Sequence, residues 1–583
     1  MVDRDPIWEQ PRANAPAALY AALPAIPPLV VHLAAWRLRM GAAPPDAAGG
    51  ADPAWPEAAA VQDFLYPAPD APLPPCRLPR LAAAAARLAL AVQRGDVVGI
   101  HGDYDVDGVS ATAVLTTWLR HLGARVEVFL PHRVNDGYGL SSAALEDLAT
   151  RGCTLVVAVD CGITAIKEAS RARDLGVDLI VLDHHVPGPA LPDIALLIDP
   201  KLPDGDVADH CLAAVGLAYR LCEAMVHGGM GEQHALDGLL DLVALGTIGD
   251  VCPLVGQNRR LVARGLHVLR QGRRPGVAAL ASSARLEPTR LSAEDVSFRL
   301  APRLNAAGRL DDPRLAFDLL MTNDPVRAAR LAEELEQLNR RRQGLTDVAL
   351  KAAVLELGSI NGAPKLLIAT GADWHLGVVG LVAGKLAERY HRPAVALTAT
   401  PGGYVGSARS IEGFDIAAAL RACDDLLIRT GGHARAAGLS LETAALVPLG
   451  LRLRQWADEQ IGADQLRAHL MADAGVRLKT LTPELLHAID AVGPFGEGNR
   501  PPLLQADRVG IAGVKSVGKD GQHVQFRLRQ GNVIVKGVQF DVEPTAIPAV
   551  GSDADVIFAP RLDRYRGAEG VELRVVAMRP CPI

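Results

Sequence analysis

The chain contains 583 residues, of which 49% are hydrophobic and 22% are charged, and its formal net charge is −6. This length predicts about three to five domains of roughly 100–200 residues each, and the composition argues against wholesale disorder. The sequence has no uninterrupted apolar run of about 18 residues, no Gly-x-y repeat and no apolar segment at its start. These features exclude a membrane-spanning or collagen-like protein and argue against a secretory signal.

The eight cysteines are spread between Cys76 and Cys581 without a Cys-x-x-Cys pair. That spacing disfavours structural zinc and thioredoxin-like chemistry. Together with the missing secretory signal, it predicts a cytoplasmic protein with reduced thiols. The negative net charge does not indicate a nucleic-acid partner, although a local basic groove would be sufficient to bind one.

Residues 1–75 are rich in alanine and proline and are predicted to form an irregular, partly helical N-terminal extension. From about residue 78, short apolar strands alternate with helices, which predicts βαβ units and a parallel sheet. The predicted strands of this block are Val97–His101, Arg125–Leu130, Thr154–Val159 and Val177–Leu182. The predicted helices are Leu78–Arg94, Ser110–His121, one that begins after Leu140, Ala165–Leu175, 211–227 and 235–248.

The second half of the chain changes character twice. An arginine-rich helical region leads into a long connecting helix at about 325–357, and a second α/β block runs from Lys365 to about 455. Five short strands are then predicted at Leu503–Ile511, Val524–Leu528, Val533–Phe540, Asp555–Phe558 and Glu572–Met578, which is typical of a small β-barrel. Residues 500–540 carry seven Lys or Arg and two Asp or Glu, so this region is locally basic.

Acidic and histidine side chains follow the predicted strands of the first block. They are His101 at the end of the first strand, Asp103, Asp105 and Asp107 after it, Asp160 after the third strand, and Asp183, His184 and His185 after the fourth, with Asp250 after a later apolar helix. Ligands of an open parallel sheet bind outside the carboxyl ends of its strands. We therefore expect these side chains to converge on one edge of the sheet.

So many carboxylates in one place require cations, because their mutual repulsion would otherwise raise their pKa values or unfold the site. Carboxylate and imidazole ligands suit Mn²⁺, Mg²⁺ or Zn²⁺. The ligands suffice for two cations about 3.5–4 Å apart, which would activate water and clamp a phosphoryl group during in-line displacement.

Two other interpretations of these residues compete with a metal centre. A single aspartate at a strand end is usually a helix cap or turn residue, but four such positions in one βαβ run are harder to explain that way. A dinucleotide-binding domain would need Gly-x-Gly-x-x-Gly after the first strand, where this sequence has Asp103-Tyr-Asp105-Val-Asp107. The sequence therefore disfavours a nicotinamide cofactor.

At these residues the sequence resembles the DHH phosphoesterase superfamily, which is named for the motif seen here as Asp183-His184-His185. Within that superfamily it is most similar to the RecJ family of single-strand-specific exonucleases. Further similar motifs are Asp373-Trp-His-Leu-Gly-Val-Val-Gly380, Gly406-Ser-Ala-Arg-Ser410, Gly431-Gly-His433 and Pro494-Phe-Gly-Glu-Gly-Asn499. The resemblance covers about residues 75–580.

The resemblance implies an α/β fold in which a parallel-sheet DHH domain is joined by a long helix to a smaller α/β DHH-associated domain, followed by a C-terminal OB-type β-barrel. The expected boundaries are an N-terminal extension (1–75), a DHH catalytic domain (76–255), a helical connector (256–357), a substrate-binding domain (358–458) and an OB-fold nucleic-acid-binding domain (459–583).

The resemblance also implies a ligand set for two divalent cations, Mn²⁺ or Mg²⁺. One cation is expected on His101, Asp105 and Asp160, and the other on Asp107, Asp160, His184 and Asp250, with Asp160 bridging. Asp160 and His185 are the expected catalytic residues, with His185 near the scissile phosphate. Asp103 and Asp183 are expected to orient the ligands rather than to bind a cation directly.

Substrate contacts are expected from Arg133, Arg303, Arg309, Ser407, Arg409 and His433. A planar guanidinium suits bidentate contact with a terminal phosphate, and glycine-rich loops let backbone N–H groups approach a phosphate closely. Tyr138, Phe495, Phe526 and Phe540 are candidates for stacking on bases, although each also suits a hydrophobic core.

The implied activity is 5′→3′ hydrolysis of single-stranded DNA to 5′-mononucleotides in recombination and repair. A monomer without membrane association is expected, and a single-strand-binding protein and a helicase are further candidate partners. Two alternatives stay open: a small-substrate DHH enzyme, such as an oligoribonuclease or a bisphosphonucleotide phosphatase, and a catalytically inactive DNA-binding subunit. Relatives of the first kind lack the barrel, and relatives of the second kind have lost the metal ligands that this sequence retains.

Overall fold

The computed structural model describes residues 6–9, 14–41, 54–67, 73, 76–133, 136–137, 139–358, 364–518, 523–540, 542, 547–563 and 570–581. The chain divides into two compact units. One unit runs from Leu73 to Ala468, and the other combines residues 5–72 with His469–Ile583.

The N-terminal segment contains one strand and several helices. They are β1 (Ile7–Glu9), α1 (Ala17–Ala22), α2 (Pro28–Gly41) and α3 (Ala58–Leu65). The inward side of α2 is apolar, with Val30, Val31 and Leu33 fully buried. This segment is therefore a packed part of the fold rather than only an irregular extension.

The first sheet of the Leu73–Ala468 unit lies among helices. Its elements are α4 (Leu81–Arg94), β2 (Val97–His101), α5 (Val106–His121), β3 (Arg125–Phe129), α6 (Ser142–Thr150), β4 (Cys153–Val159), α7 (Ile166–Asp174), β5 (Asp178–Leu182), β6 (Leu196–Ile198), α8 (Ala214–His227), α9 (Gln233–Asp237) and α10 (Leu240–Gly249). The strand order is β3-β2-β4-β5-β6, and every neighbouring pair is parallel. The predicted parallel sheet is confirmed.

Helix α5 begins four residues earlier than predicted. Oδ1 of Asp105 accepts the backbone N–H groups of Asp107 (2.9 Å) and Gly108 (3.1 Å). This N-cap satisfies donors that the first turn would otherwise leave unpaired. The helix therefore starts at Val106, and Asp107 lies in its first turn.

A helical region follows and ends in one long helix. Its α-helices are α11 (Gly256–Arg270), α12 (Pro275–Ser283), α13 (Ala293–Asp295), α14 (Ala301–Leu310), α15 (Arg314–Met321) and α16 (Pro325–Leu357). Helix α16 has 33 residues and matches the predicted connecting helix. The Asp324 side chain caps it by accepting the N–H of Val326, and Pro325 occupies the first turn, where its missing N–H does no harm.

The second sheet is mixed. Its elements are β7 (Leu367–Gly371), α17 (Leu376–Tyr390), β8 (Ala394–Thr400), β9 (Gly403–Arg409), α18 (Ile416–Arg421), β10 (Arg429–His433), β11 (Ala436–Leu441) and α19 (Leu446–Gln460). The strand order is β10-β11-β9-β8-β7, in which only β7 and β8 are parallel. Antiparallel pairing of β9 with β11 brings Ser407 opposite Gly438 and Arg409 opposite Ala436.

The C-terminal strands close into a five-stranded barrel. The elements are β12 (His469–Met471), β13 (Ala474–Gly475), α20 (Pro483–Asp490), β14 (Leu504–Val517), β15 (His523–Gln530), β16 (Val533–Gln539), β17 (Asp553–Asp563) and β18 (Gly570–Pro580). Strands β14, β15, β16, β18 and β17 form the ring, which a second pairing of β14 with β17 closes. The predicted barrel is confirmed.

The aromatic candidates for stacking differ in exposure. Phe526 is fully buried in the barrel core, whereas Phe540 is 43% exposed. Tyr138 lies outside the described residues. Phe540 is thus the candidate in the barrel whose ring reaches solvent.

The N-terminal segment packs against the start of the barrel region. Strand β1 pairs in parallel with β12, and Nε2 of His32 is 2.9 Å from the carbonyl oxygen of Asp473. Arg37 forms a salt bridge of 3.1 Å with Asp473, whose carboxylate also accepts the N–H of Leu503. These contacts join segments that are more than 400 positions apart in the sequence.

The cysteines are free thiols, in agreement with the prediction. Within the described ranges, every helix is too short or too polar to cross a membrane.

Candidate active site

The carboxyl ends of neighbouring strands bring the acidic and histidine side chains together. Strand β2 ends at His101, Asp160 directly follows β4, and Asp183 directly follows β5. Because β2, β4 and β5 are adjacent and parallel, these ends lie along one edge of the sheet. Asp250 reaches the same edge as the residue that ends α10.

His184 stands at the centre of a group of three carboxylates. Its Nε2 atom is 3.1 Å from Oδ1 of Asp160, 3.8 Å from Oδ2 of Asp107 and 3.8 Å from Oδ2 of Asp250. All four residues were predicted to share one cation. Their separations suit ligands arranged around a common ion.

A second group forms around the loop between β2 and α5. Carboxylate oxygens of Asp103, Asp105 and Asp160 lie within 4.8 Å of one another, so Asp160 belongs to both groups. Oδ1 of Asp103 is buried and has no hydrogen-bond partner among the described residues. Asp103 is therefore close enough to act as a direct ligand, whereas the sequence suggested only a supporting role.

His101 lies on the other side of this loop, in a buried position. Its ring stacks on Phe129 with centroids 5.3 Å apart, and its Nδ1 atom is 3.5 Å from Sγ of Cys161. Burial lowers the pKa of His101 to about 4, so its ring is neutral at physiological pH. Nε2 is buried without a hydrogen-bond partner in the described part of the chain, as expected of a nitrogen that binds a cation. Among the described residues, no group of three possible ligands within 4.8 Å includes His101.

The crowded carboxylates raise one another's pKa values. Burial, together with the charge of Asp250, raises the pKa of Asp107 to about 7. Burial and the charge of Asp105 raise the pKa of Asp250 to about 7, and burial with neighbouring carboxylates raises the pKa of Asp160 well above its usual range. Divalent cations would remove this repulsion, so the residues present fit a metal centre.

The backbone holds two of these aspartates in fixed orientations. Asp160 has φ +65°, in the left-handed region that aspartate adopts more readily than most residues. Its N–H donates to the carbonyl oxygen of Leu182 (2.9 Å), which fixes the residue to the neighbouring strand. The two oxygens of Asp107 accept the N–H groups of Ala214 (2.8 Å) and Val215 (2.9 Å) at the start of α8.

Asp183 organises the residues that follow it. Its Oδ1 atom accepts the backbone N–H groups of His184 (2.8 Å) and His185 (3.2 Å), and its Oδ2 atom accepts the N–H of Ile163 (2.9 Å). Burial opposes ionisation, but the hydrogen bond and charge of His185 outweigh it and hold the pKa of Asp183 at about 2. Nδ1 of His185, 2.7 Å from Oδ1, is therefore a donor to an ionised carboxylate.

Helix α14 supports the loop that carries Asp103 and Asp105. Oδ1 of Asn305 accepts the N–H of Val106 (2.8 Å). Gly308 lies against the same loop, and a Cβ atom on it would be 2.2 Å from the carbonyl oxygen of Tyr104. Asn305 and Gly308 lie between Arg303 and Arg309, the two residues of this helix that were predicted to contact substrate, and they support the loop.

Several arginines gather beside the acidic groups. Burial, followed by the positive charges of Arg133, Arg342 and Arg409, lowers the pKa of Arg309 to about 10. Arg133 also lies over the ring of Tyr104, with Cζ 4.9 Å from the ring centroid. Nη1 of Arg409 donates to the hydroxyl oxygen of Ser407 (2.6 Å). Three predicted substrate residues from distant segments, Arg133, Arg309 and Arg409, therefore share one cationic cluster.

His433 belongs to the same region. Burial and then the positive charges of Arg409, His185 and Lys201 lower the pKa of His433. Because these charges act on one imidazole, His433 of the second sheet lies near His185 of the first. The charges of His185, Lys201 and Arg409 thus reach His433 within the Leu73–Ala468 unit.

Arg303 is the exception among the predicted substrate residues. Its guanidinium forms a salt bridge of 2.7 Å with Glu336 of α16 and donates to the carbonyl oxygen of Arg299 (2.6 Å). The Arg303 side chain is only 11% exposed. This arginine is already committed to protein partners.

The comparisons with known proteins identify the family of this chain. Family models match the DHH family N-terminal domain at residues 97–247, the DHHA1 domain at 363–455 and the RecJ OB domain at 472–577. The single-stranded-DNA-specific exonuclease RecJ of Salmonella typhimurium strain LT2 is 34% identical over 504 residues, which are 83% of this chain and 87% of that protein. The chain belongs to the RecJ family.

Two further RecJ proteins define the extent of the similarity. RecJ of Bacillus subtilis strain 168 is 36% identical over 448 residues, or 76% of this chain, and the match spans only 56% of that longer protein. The crystal structure of RecJ from Thermus thermophilus in complex with Mn²⁺ matches all of this chain with a TM-score of 0.83 and 29% identity. The match covers 81% of the Thermus protein.

In this RecJ-family chain, the structure also identifies residues that the sequence pattern did not single out. Lys201 donates through Nζ to the carbonyl oxygen of His184, and its N–H donates to Oδ1 of Asp199 (2.7 Å). Arg342 lies close enough to Arg309 to lower its pKa. The position of Asp199 directly after β6, another parallel strand, is a signal that could have found it. Arg342 lies inside a long helix, where no local signal marks it.

Proposed function

We propose that this chain is a single-strand-specific 5′→3′ exodeoxyribonuclease that hydrolyses phosphodiester bonds with two divalent cations and releases 5′-mononucleotides. The observation that carries this proposal is the convergence of Asp107, Asp160 and Asp250 on Nε2 of His184. The named relatives of this chain are single-stranded-DNA-specific exonucleases. This similarity supports a role in DNA recombination and repair.

Two ligand groups support a pair of cations, Mn²⁺ or Mg²⁺. We propose that Asp107, Asp160, His184 and Asp250 hold one, and that His101, Asp105 and Asp160 hold the other. The position of Asp103 beside Asp105 and Asp160 suggests that it adds a ligand to the second group. When bound, such a pair activates a water molecule and neutralises charge on the attacking and leaving oxygens.

His185 is the proposed contact to the scissile phosphate. Asp183 fixes the ring through Nδ1, so we propose that Nε2 faces the substrate. From there it can position the phosphate or donate a proton to the leaving oxygen. Its side chain is 41% exposed, in keeping with a group that meets a ligand.

The cationic cluster is the proposed binding site for the 5′ end. Arg133, Arg309 and Arg409 offer fixed guanidinium donors that suit a terminal phosphate. Ser407 lies two residues before Arg409 on β9, and His433 ends β10, which β11 separates from β9. Both are proposed to add polar contacts. Glu336 already pairs with Arg303, so we assign Arg303 a role in holding α14 to α16.

The barrel is the proposed site for DNA beyond the cleaved end. Lys515, Arg527 and Arg529 are exposed on β14 and β15. Phe540, with Arg574 5.9 Å from its ring centroid, offers an aromatic surface nearby. A basic surface with an exposed aromatic ring suits single strands, which bind through phosphate charge and base stacking.

The domain boundaries drawn from the sequence remain part of the proposal. The matched family regions fall inside the proposed DHH (76–255), DHH-associated (358–458) and OB (459–583) domains. At the N-terminus, the packing of residues 5–72 with His469–Ile583 suggests that the first segment belongs to the OB unit.

An assay with labelled single-stranded DNA tests the proposed function. Purified protein with Mn²⁺ should release 5′-mononucleotides from single strands, and blocking the 5′ end should slow release more than blocking the 3′ end. Duplex DNA of the same sequence is the control substrate. Equal rates of release from single-stranded and duplex DNA, or degradation that proceeds from the 3′ end, would contradict the proposal.

A further inference from the structure

The loop after α10 places a thiol beside the proposed metal ligands. Sγ of Cys252 is 3.1 Å from Oδ2 of Asp250. Oδ2 of Asp250 in turn lies 3.8 Å from Nε2 of His184. Ligand atoms of His184, Asp250 and Cys252 all lie within 4.8 Å of one another.

The backbone conformation between Asp250 and Cys252 is unusual. Val251 has φ +61°, which a β-branched residue rarely adopts, and its side chain points outward with 58% exposure. The N–H of Cys252 donates to the carbonyl oxygen of Thr247 (3.2 Å), which closes the turn. The turn thus directs the side chains on either side of Val251 to the same place.

The three donors form a mixed nitrogen, oxygen and sulfur set. Zn²⁺ binds sulfur at about 2.3 Å and nitrogen at about 2.0–2.1 Å in tetrahedral geometry, so two ligand atoms of one ion stand about 3.3–3.6 Å apart. Small side-chain movements would bring all three donors onto one ion. Thiolate favours soft and borderline cations, whereas Mn²⁺ and Mg²⁺ favour oxygen ligands.

We propose that His184, Asp250 and Cys252 form a binding site for a thiophilic divalent cation, Zn²⁺ or Cd²⁺, which displaces Mn²⁺ from the centre. The proposal rests on the proposed function, because His184 and Asp250 are also assigned to the Mn²⁺ or Mg²⁺ pair. A soft cation bound there takes both ligands from that pair and inhibits cleavage. The thiol releases its proton to the solvent when sulfur enters the coordination.

Two of the other buried cysteines, Cys161 and Cys222, differ from Cys252 in their surroundings. Sγ of Cys161 lies 3.5 Å from Nδ1 of His101. Cys222 is fully buried among the apolar residues of the first sheet's core. Cys222 is therefore a control for thiol loss in the interior, and Cys161 a control for thiol loss close to the centre.

The test uses the full-length protein stripped of metal and then loaded with Co²⁺ or Cd²⁺. Co²⁺ should give a sulfur-to-cobalt charge-transfer band in the wild type and in Cys222→Ala, but not in Cys252→Ser. Cd²⁺ should bind Cys252→Ser at least about 10–100-fold more weakly than the wild type, since the loss of a residue that only supports a ligand already costs that much. Serine keeps a hydrogen-bond donor for Asp250, and Cys252→Ala serves as a second variant if serine disturbs the fold.

A second measurement follows the Mn²⁺ itself. Cd²⁺ added to the Mn²⁺-loaded wild type should restore the paramagnetic resonance signal of free Mn²⁺ at lower concentrations than in Cys252→Ser. Equal Cd²⁺ affinities, no cobalt band in the wild type, or a band lost only in Cys161→Ser would overturn the proposal. Mn²⁺-dependent cleavage by Cys252→Ser is recorded separately, so failure of the nuclease function is distinguishable from failure of the thiol site.

Discussion

Oδ1 of Asp183 accepts a hydrogen bond of 2.7 Å from Nδ1 of His185 while it also accepts both histidines' backbone N–H groups. One buried carboxylate oxygen thereby sets the turn after β5 and the orientation of the proposed phosphate-contacting ring. Asp183 is a positioning residue, and its effect on chemistry passes through His185.

Replacing Asp183 with asparagine should therefore lower the cleavage rate about 10–100-fold, since the ring loses its charged partner. Loss of charge-assisted hydrogen bonds should also lower the free energy of unfolding by about 1–3 kcal/mol. Single-turnover cleavage and urea unfolding measure the two effects. Asp193→Asn is the control, because that carboxylate is 83% exposed and pairs with the exposed Arg173. Wild-type kinetics for Asp183→Asn would refute the positioning role.

Asp160 should be indispensable for cleavage, since it belongs to both ligand groups. Asp160→Ala should abolish the reaction while binding of single-stranded DNA is largely retained. Asp160→Asn should cleave at least about 100-fold more slowly than the wild type. Because asparagine tolerates positive φ, this variant removes the carboxylate charge without adding backbone strain. Cleavage assays with fluorescence-anisotropy binding provide the comparison, and Asp147→Asn on the surface of α6 is the control. Wild-type cleavage by Asp160→Ala would show that the metal assignment is wrong.

The cationic cluster should act mainly on binding. Arg409→Gln should weaken the binding of 5′-phosphorylated single strands and reduce the slope of log affinity against log salt by about 1, because one phosphate contact is lost. The effect should be smaller for strands with a 5′ hydroxyl. Arg452→Gln removes an exposed arginine that pairs with Asp425 and should leave binding unchanged. An identical loss for both kinds of 5′ end would argue against a terminal-phosphate site.

The close approach of α14 to the acidic loop should make Gly308 intolerant of a side chain. Gly308→Ala should lower the free energy of unfolding by about 1–3 kcal/mol, since Cβ would meet the backbone of Tyr104. Gly344→Ala is the matched control in α16, where a Cβ atom meets nothing within 4 Å. There alanine should stabilise the helix by up to about 1 kcal/mol. Chemical denaturation measures the free energy of unfolding of both variants. Equal changes in Gly308→Ala and Gly344→Ala would contradict the prediction.

The barrel should matter for long substrates. Removing residues 460–583 should strongly reduce the cleavage rate on long single strands. A truncation after Ala468 keeps the hydrogen bond that Lys365 donates to the carbonyl oxygen of Ile461, so it disturbs the remaining unit less. In the full chain, changing Lys515, Arg527 and Arg529 to glutamine should also lower the cleavage rate on long single strands. Rates on long strands and on short oligonucleotides are to be compared. Unchanged rates on long strands would favour a small-substrate enzyme instead.

Much of the architecture followed from local pattern. Strand β2 has the predicted bounds because its apolar run is unambiguous, and helix α16 has the predicted bounds of about 325–357. The bounds of β14 were predicted too short, since its outer half alternates with polar residues that look like a loop. The packing of the N-terminal segment was not predicted, because its partner Asp473 is far away in the sequence.

The site could be predicted in outline for a related reason. Carboxylates at the ends of parallel strands must converge, so the group around His184 followed from topology. The direct approach of Asp103 to Asp105 and Asp160 depends on how Asn305 and Gly308 shape the loop, and no local pattern records such a contact. The contacts of Arg303 likewise depend on Glu336, which lies on a different helix and forms a salt bridge with it.

The pairing of β1 with β12 has a consequence for biosynthesis. Residues 5–72 emerge from the ribosome early, yet the strand and the Asp473 carboxylate that receive them are translated roughly 400 residues later. Nascent domains generally fold in the order of synthesis. The Leu73–Ala468 unit can therefore fold before β12, the partner strand of β1, has been synthesised. The apolar cluster that α2 shares with Ile489 and Val492 would meanwhile be incomplete, and a ribosome stalled before residue 469 would release a chain in which it stays incomplete.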